Sequence, residues 1–330
     1  MAADAISDLI ESRKAEIVET RRYFHGIPEL GFEENETAAA IGQRLNNAGL
    51  EIETGIGKTG VVGVLEGAKP GPRLMIRADI DGLPVDELTG LDFASTNGRM
   101  HACGHDGHIT MAVIAAEILA GLKDQLAGTL IFVFQPAEEI VMGALAMIDD
   151  GLFEKYPADR VIGTHLWNQI PTGTIGVNRA TVFASADQFR LTVHGKGGHG
   201  AMPHTTVDPV AAIAEIISTA QTVVSREVPP NEMGVLTFGQ IHGGSAPNVI
   251  ADSVMVEGTV RAYTPDTRQQ IMKSLDRISS NVASAMRAST SFERIHGAPP
   301  VINNPEVAAW VTKQASLVVG EGNAREWEPV

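Results

Sequence analysis

Four short, continuously apolar segments constrain the fold of this chain more than any other feature. They read GVVGVLEG (60–67), RLMIRADI (73–80), TLIFVFQ (129–135) and RVIGTHL (160–166). Helical patterns over 107–120 and 143–149 lie between them. Buried strands that alternate with helices indicate a mostly parallel sheet covered by helices on both faces. The N-terminal part of the chain is therefore predicted to have an α/β fold.

The pattern changes after residue 176, where amphipathic strands replace the continuously apolar ones. The segment ADQFRLTVHGKG (186–197) alternates between apolar and polar residues, which predicts a strand with one solvated face. A helix over 208–226, strands over 234–241 and 253–263, and a helix over 266–289 follow. This order is typical of a compact α+β module of the ferredoxin-like kind, with its helices on one face of an antiparallel sheet.

The two patterns predict that one domain is inserted into another. Residues 1–182 would form the first part of the α/β domain and 183–292 the inserted α+β satellite domain. Residues 293–330, which include a helical pattern over 304–320, would return to the first domain. A length of 330 residues agrees with two domains, since domains typically contain ~100–200 residues.

The charge of the chain excludes two classes of partner. With 25 basic and 40 acidic residues the net charge is −15, and no basic cluster offers a surface for nucleic acid or anionic membranes. The N-terminus lacks a secretory signal pattern, and no segment approaches the ~20 apolar residues of a membrane span. The single cysteine, Cys103, agrees with a reducing compartment, so a cytoplasmic protein is expected.

Polar residues that follow the apolar segments indicate where chemistry could occur. They are Asp79 and Asp81, Glu138 and Glu139, and His165. In open α/β sheets, ligands bind at the carboxyl ends of the strands. The glycine-rich HACGHDGH (101–108) opens a predicted helix, whose N-terminus would favour a thiolate at Cys103. Each residue alone has an ordinary structural explanation, but together these donors predict a site for Zn²⁺ or a similar divalent ion.

The adjacent glutamates indicate the type of reaction. One carboxylate can bind a metal ion while its neighbour takes a proton from water whose pKa the metal lowers from ~15.7 towards ~7. The pattern therefore predicts hydrolysis.

A second histidine cluster, HGKGGHGAMPH (194–204), lies in the predicted satellite domain. His194 and His204 are read as part of a flexible glycine-rich loop, whereas His199 has glycines on both sides and would be free to reach another surface. Further along, Asn248 and Arg261 are candidate substrate contacts, because an arginine in a cleft can hold a carboxylate through two parallel hydrogen bonds. Taken alone, Arg261 is better read as a surface ion-pair residue.

Seven motifs, in this order, resemble the amidohydrolase branch of the aminoacylase/carboxypeptidase metallopeptidases. They are RADIDGLP, HACGHDGH, QPAEE, GTHLW, GKGGHGAMPH, APNVI and EGTVRAY. That branch includes hippurate hydrolases, N-acyl-L-amino-acid amidohydrolases and plant hydrolases of indole-acetyl amino acids. The resemblance implies a catalytic domain with two divalent metal ions, for which Zn²⁺, Mn²⁺, Co²⁺ and Ni²⁺ are all suitable. It also implies a satellite domain that pairs with a second copy to form a homodimer.

The resemblance further implies roles for individual residues. The residues that look like metal ligands are Cys103, His105, Glu139 and His165. Glu138 looks like the general base, and Asp81 is similar to the aspartate that orients a metal-bound histidine. His199 looks like the histidine that reaches the reacting carbonyl, often in the partner subunit's site. Asn248 and Arg261 look like groups that hold the substrate. The implied reaction cleaves small N-acyl amino acids to a carboxylic acid and a free amino acid.

Two departures from the family pattern qualify this reading. The family's last metal ligand is a histidine after a GSEDF-like segment near the C-terminus, whereas this sequence has no histidine after His296 and ends at EWEPV. The last part of the catalytic domain is therefore expected to be missing, which would leave the second metal position incomplete. The segment EEIVMGA (138–144) also lacks the glycines that usually follow the glutamates. The alternatives are a dipeptidase or carboxypeptidase of the same fold, and an inactive dimerising or ligand-binding protein.

Overall fold

The computed structural model describes residues 3–329, which fall into two compact units, Met1–Thr172 and Gly173–Val330. The helices of the first unit are α1 (Ala3–Ser12), α2 (Lys14–His25), α3 (Asn35–Asn47), α4 (His105–Ala120), α5 (Gly143–Asp149) and α6 (Leu152–Lys155). Its strands are β1 (Glu51–Ile56), β2 (Gly60–Glu66), β3 (Lys69–Asp79), β4 (Ala127–Gln135) and β5 (Arg160–Gly163). The four predicted strands and the predicted helices of this part are present.

The five strands form one sheet in the order β1-β2-β4-β3-β5. The pairs β3/β4 and β3/β5 are parallel, but β1/β2 and β2/β4 are antiparallel. The α/β class is confirmed, and four of the five strands run in the same direction; β2 alone is antiparallel to its neighbours, which the sequence did not predict. The apolar run of β2 reflects burial on both faces, and a buried strand reads the same in either direction. Short connections on both sides reverse its direction: the turn from β1, which contains Lys58 at φ 81°, and the two residues between β2 and β3.

Helices cover both faces of this sheet, as the sequence predicts. Successive residues of β4 point in opposite directions, so Phe132 and Phe134 pack on one face and Ile131 and Val133 on the other. The first face packs against α2, α3 and α4, and the second against Met147 of α5 and Leu152 of α6. Each fully buried Phe or Ile contributes about 1.5–3 kcal/mol by leaving water. This double covering holds the ends of β3 and β4 in a fixed position.

The second unit is built around an antiparallel sheet of four strands in the order β10-β12-β8-β13. Its helices are α7 (Pro209–Thr222), α8 (Pro265–Ala285) and α9 (Pro305–Val319). Its strands are β6 (Ile175–Val177), β7 (Thr181–Phe183), β8 (Ala186–His194), β9 (Gly198–His199), β10 (Gly234–Gly243), β11 (Val249–Ile250), β12 (Ser253–Ala262), β13 (Ser289–Ala298), β14 (Val301–Ile302) and β15 (Ala324–Glu326). The order β8-α7-β10-β12-α8-β13 is that of ferredoxin-like modules.

Helices α7 and α8 pack against one face of this sheet. Leu191 and Val256 of the sheet share a core with Ile216 of α7 and Leu275 of α8. Asp208 caps α7 as predicted, because its carboxylate accepts hydrogen bonds from the backbone N–H groups of the second and third residues that follow it.

The predicted division of the chain at residues 182/183 and 292/293 can be compared with these elements. Strand β13 continues to Ala298, so the second predicted boundary lies inside a strand. Beyond it, β15 pairs with β6, which lies before residue 183, and β14 pairs with β7, which spans the first predicted boundary. The inserted domain itself stays a prediction. None of the helices in residues 3–329 is both long enough and apolar enough to cross a membrane.

Candidate metal centre

The carboxyl ends of β3 and β4 bring the two acidic segments together. The parallel register pairs Asp79 with Gln135, and the backbone N–H of Ile80 donates to the carbonyl of Gln135 over 3.0 Å. Beyond that point, Asp81 lies 1% exposed, and its Oδ2 accepts a hydrogen bond of 2.9 Å from the backbone N–H of Glu139. Asp81, which follows β3, therefore holds the backbone of Glu139, which follows β4.

The start of α4 supplies the sulfur and imidazole donors. Gly104 has a φ of 90°, a left-handed conformation that glycine adopts without the steric cost borne by other residues. This turn places Cys103 just before the helix and His105 at its first position. Because α4 packs beside β3, His105 reaches the carboxyl end of that strand.

His105 is the centre of the donor cluster. Its Nδ1 donates to the backbone carbonyl of Asp81 over 2.8 Å and lies 3.3 Å from that residue's Oδ1. Its Nε2 is buried without a hydrogen-bond partner and lies 3.9 Å from Oε2 of Glu138 and 3.9 Å from Oε1 of Glu139. Glu139 Oε1 is likewise buried without a hydrogen-bond partner. Two orphaned ligand atoms that face each other fit a bound cation.

His165 joins the cluster through the cysteine. Its Nε2 lies 3.5 Å from Sγ of Cys103, and its Nδ1 donates to the backbone carbonyl of Leu166 over 2.6 Å. Burial lowers the pKa of His165, which favours the neutral ring with a lone pair on Nε2. A neutral imidazole is the form that binds metal ions.

Two groups of potential ligands therefore share His105. One contains Cys103, His105 and His165, and the other contains His105, Glu138 and Glu139; within each group the ligand atoms lie within 4.8 Å of one another. The two glutamates differ in exposure, since 40% of the Glu138 side chain is exposed against 20% for Glu139. Cys103, His105, Glu138, Glu139, His165 and Asp81, predicted from distant parts of the sequence, thus lie in one place.

The electrostatics of the cluster also fit a cation. Burial alone would lower the pKa of His105, but Asp81, Cys103 and the nearby carboxylate of Asp79 raise it to about 11. Burial raises the pKa of both Glu138 and Glu139. A position that holds a proton so tightly among carboxylates favours positive charge, and a divalent ion would replace that proton. Thiolate, imidazole and carboxylate donors together suit Zn²⁺ and other first-row divalent ions.

In a third group, Asp79, His105 and His108, the Asp79 and His108 side chains already have hydrogen-bond partners. Nδ1 of His108 lies 2.5 Å from Oδ1 of Asp79, whose Oδ2 accepts a hydrogen bond of 2.7 Å from Arg77. Nε2 of His108 accepts a hydrogen bond from the backbone N–H of Leu166. Sequence reasoning assigned no role to His108, although its spacing of three residues from His105 places both rings on one face of α4.

The three predicted site residues of the second unit do not lie together. His199 in β9 pairs with Val249 in β11, and the backbone N–H of Gly200 donates to the carbonyl of Asn248 over 2.8 Å, so His199 and Asn248 are neighbours. Arg261 lies near the other end of β12, eight residues or about 27 Å of strand from Ser253. His199, Asn248 and Arg261 are all exposed residues.

Comparison with known proteins identifies the family. The sequence pattern of Peptidase family M20/M25/M40 matches residues 75–329. The chain belongs to this family. The resemblance inferred from the seven motifs is thereby confirmed, and the M20/M25/M40 chain is a hydrolase of amide bonds.

Similar proteins include the N-acyl-L-amino acid amidohydrolase of Geobacillus stearothermophilus, 40% identical over 93% of this chain and 83% of the relative. The hippurate hydrolase of Campylobacter jejuni is 38% identical over 94% of this chain and 81% of the relative. Among solved structures, the YXEP protein of Bacillus subtilis, described as a dinuclear metal binding peptidase, has a TM-score of 0.82 and 33% identity. That match covers 97% of this M20/M25/M40 chain and 84% of the solved one.

Proposed function

We propose that this chain is a metal-dependent amidohydrolase that cleaves N-acyl amino acids to a carboxylic acid and a free amino acid. The observation that carries the proposal is the mixed donor cluster around His105, in which two adjacent glutamates differ in exposure. The names of the Geobacillus and Campylobacter relatives support the substrate class.

Cys103, His105, Glu139 and His165 would hold the divalent ions, and Asp81 would orient His105. When bound, such ions lower the pKa of water and polarise a carbonyl oxygen. Which first-row ion is used depends on geometry and availability, so Zn²⁺, Mn²⁺, Co²⁺ and Ni²⁺ are all candidates.

Glu138 is the proposed general base because it is the more exposed of the two glutamates. It takes a proton from the attacking water as the oxygen adds to the amide carbonyl. It then gives that proton to the leaving nitrogen as the carbon–nitrogen bond breaks. The elevated pKa of Glu138, which burial causes, suits a group that must hold the proton between these two events.

His199 would stabilise the developing oxyanion, while Asn248 and Arg261 would hold the substrate carboxylate. Since His199 and Asn248 lie at the opposite end of β12 from Arg261, we propose that the two groups act in different copies of the site in a homodimer. Amides that lack a free carboxylate should then be poor substrates.

The test is hydrolysis of N-benzoylglycine with added Mn²⁺ or Zn²⁺, run beside Glu138→Gln. This variant keeps the size of the side chain but removes the base, so a loss of about 10²–10⁴-fold in kcat is expected. N-Benzoylglycinamide and a simple dipeptide serve as comparison substrates, and both should be turned over more slowly. Equal turnover by the variant would overturn the role of Glu138, and faster turnover of the dipeptide would favour a dipeptidase.

A further inference from the structure

Glu34 is a fully buried glutamate at the start of α3, outside the donor cluster. Its Oε2 accepts a hydrogen bond of 2.5 Å from the hydroxyl of Thr59, and its Oε1 accepts one of 2.8 Å from the backbone N–H of Ala137. Both donors are uncharged. Burying a carboxylate in this way is costly, so the interactions that it makes must be specific.

Glu34 occupies a position from which a side chain ordinarily caps a helix. It is the N-cap residue of α3, yet its side chain makes no capping hydrogen bond. Glu29 performs the capping instead, since Oε1 accepts from the N–H groups of Asn35 and Glu36 and Oε2 from that of Thr37. The Glu34 side chain is therefore free to turn into the interior.

Glu34 is bonded to a residue, Ala137, with an unusual backbone conformation. Ala137 has a φ of 49°, in the left-handed region, which costs a residue with a Cβ roughly 1–2 kcal/mol. Gly31 packs so closely that a Cβ there would lie 3.0 Å from the Cα and Cβ of Ala137. The strained residue is thus enclosed, and the hydrogen bond from its N–H to Glu34 keeps it in this conformation.

Ala137 directly precedes the two glutamates of the candidate centre. On the other side, the N–H of Glu139 is bonded to Asp81, as described above. Glu138 therefore lies between two backbone N–H groups, each bonded to a buried carboxylate. Asp81 was singled out from the sequence, whereas Glu34, some 100 residues before Ala137, was not.

We propose that Glu34 is a positioning residue that fixes the backbone carrying Glu138 and Glu139 through its hydrogen bond to the N–H of Ala137. Only the expected effect on the kinetics rests on the proposed function. Glu34 acts through Oε1 as an acceptor rather than as a charge, and the Thr59 hydroxyl only satisfies its other oxygen. Substrate binding by other residues is unaffected, so kcat should change more than KM.

Replacement of Glu34 by glutamine tests whether the side chain acts as a hydrogen-bond acceptor or as a charge. The Gln carbonyl oxygen can accept from Ala137 while its amide donates to the Thr59 hydroxyl, so Glu34→Gln should retain kcat within about threefold. Glu34→Met fills the space without an acceptor. A displacement of about 1 Å can cost on the order of 10²-fold, so its kcat should fall 10- to 100-fold with KM within about threefold. Thr59→Val, the control, leaves the Ala137 bond in place and should stay within about threefold of the parent chain.

The kinetics are measured with N-benzoylglycine and Mn²⁺, alongside amide hydrogen exchange of residues 136–142 by mass spectrometry and bound metal per chain. Glu34→Met should exchange faster in this segment than the parent and than Glu34→Gln. If Glu34→Met does not fold, Glu34→Asp replaces it, because the shorter carboxylate keeps the charge but cannot reach Ala137. The proposal would be overturned if Glu34→Gln lost as much activity and exchanged as fast as Glu34→Met. It would also be overturned if exchange in Glu34→Met were the same as in the parent chain.

The exchange and metal measurements need no substrate. If even the parent chain fails to hydrolyse N-benzoylglycine, the proposed function fails, but the exchange pattern of the variants still supports or overturns the role of Glu34.

Discussion

His108 is bonded to Asp79, with 2.5 Å between Nδ1 and Oδ1. Because Nε2 of the same ring accepts a hydrogen bond of 2.8 Å from the backbone N–H of Leu166, the proton of the neutral ring resides on Nδ1. The ring thereby ties the end of β3 to the residue that follows His165. Both nitrogens are occupied, so His108 supports the centre and is unsuited to bind a metal ion itself.

Replacement of His108 by leucine should therefore loosen the centre. It leaves Oδ1 of the buried Asp79 without its hydrogen bond from His108 and the N–H of Leu166 without its acceptor, which costs about 1–3 kcal/mol for each group. We expect weaker metal binding in calorimetric titration with Mn²⁺ and a lower unfolding temperature. His204→Leu, at an exposed histidine of the second unit, is the control and should change neither. Metal affinity equal to that of the parent would contradict the supporting role.

Metal binding should raise the thermal stability of the chain. A ligand that binds only the folded state stabilises it by about 2.7 kcal/mol at a concentration of 100 times Kd. Titration with Mn²⁺ or Zn²⁺ after chelation should raise the unfolding temperature in a concentration-dependent way. Glu139→Gln should weaken this response because it removes the orphaned Oε1 carboxylate beside His105, whereas the exposed Glu154→Gln should leave it intact. A response that is the same in both variants would exclude Glu139 as a ligand.

The sequence predicted those parts of the fold that depend on local pattern. The apolar strands, the amphipathic helices and the cap at Asp208 were all found where the sequence placed them. Strand β1 was missed because the segment from Glu51 to Thr54 lies at the sheet edge and is largely exposed, so its composition carries little signal. The antiparallel direction of β2 was missed because strand direction depends on connections rather than on burial.

The candidate site was predictable where donors follow strands, since the ends of β3, β4 and β5 come together in any such sheet. His108 and Glu34 were not predictable in the same way. Their roles depend on the backbone N–H groups of Leu166 and Ala137, which carry no residue-type signature. The separation of Asn248 from Arg261 was missed for a related reason: it follows from the register of β12, which no local pattern reveals.

The stability of the first unit should depend on pH through His25. Burial would lower the pKa of His25, but hydrogen bonds with Glu87 and Asp106 outweigh burial and raise it. The protonated ring then contributes stability that is fully present below its unfolded pKa of ~6.5 and is lost as pH rises through the higher folded pKa. Urea unfolding between pH 6 and 9 should therefore show stability falling in the parent chain and a flatter profile in His25→Gln. Parallel profiles in the two chains would show that His25 is not the titrating group. His204→Gln, at an exposed histidine, is the control and should show the same dependence of stability on pH as the parent chain.

The second unit contains a buried ion pair whose two arginines should differ in importance. Asp187 is 1% exposed; Arg268 donates to both its oxygens, over 2.6 and 2.8 Å, and Arg294 lies 2.7 Å from Oδ1. The Arg268 side chain is 16% exposed and that of Arg294 is 46% exposed.

A pair that water reaches contributes little, while removal of one partner from a buried pair costs about 3–5 kcal/mol. Arg268→Met should therefore lower the free energy of unfolding by about 2–4 kcal/mol in urea titration, and Arg294→Met by less than about 1 kcal/mol. Methionine keeps much of the apolar stem in both cases, so the comparison isolates the guanidinium. If the two variants were equally destabilised, the bidentate geometry at Arg268 would not be what holds α8 to β8.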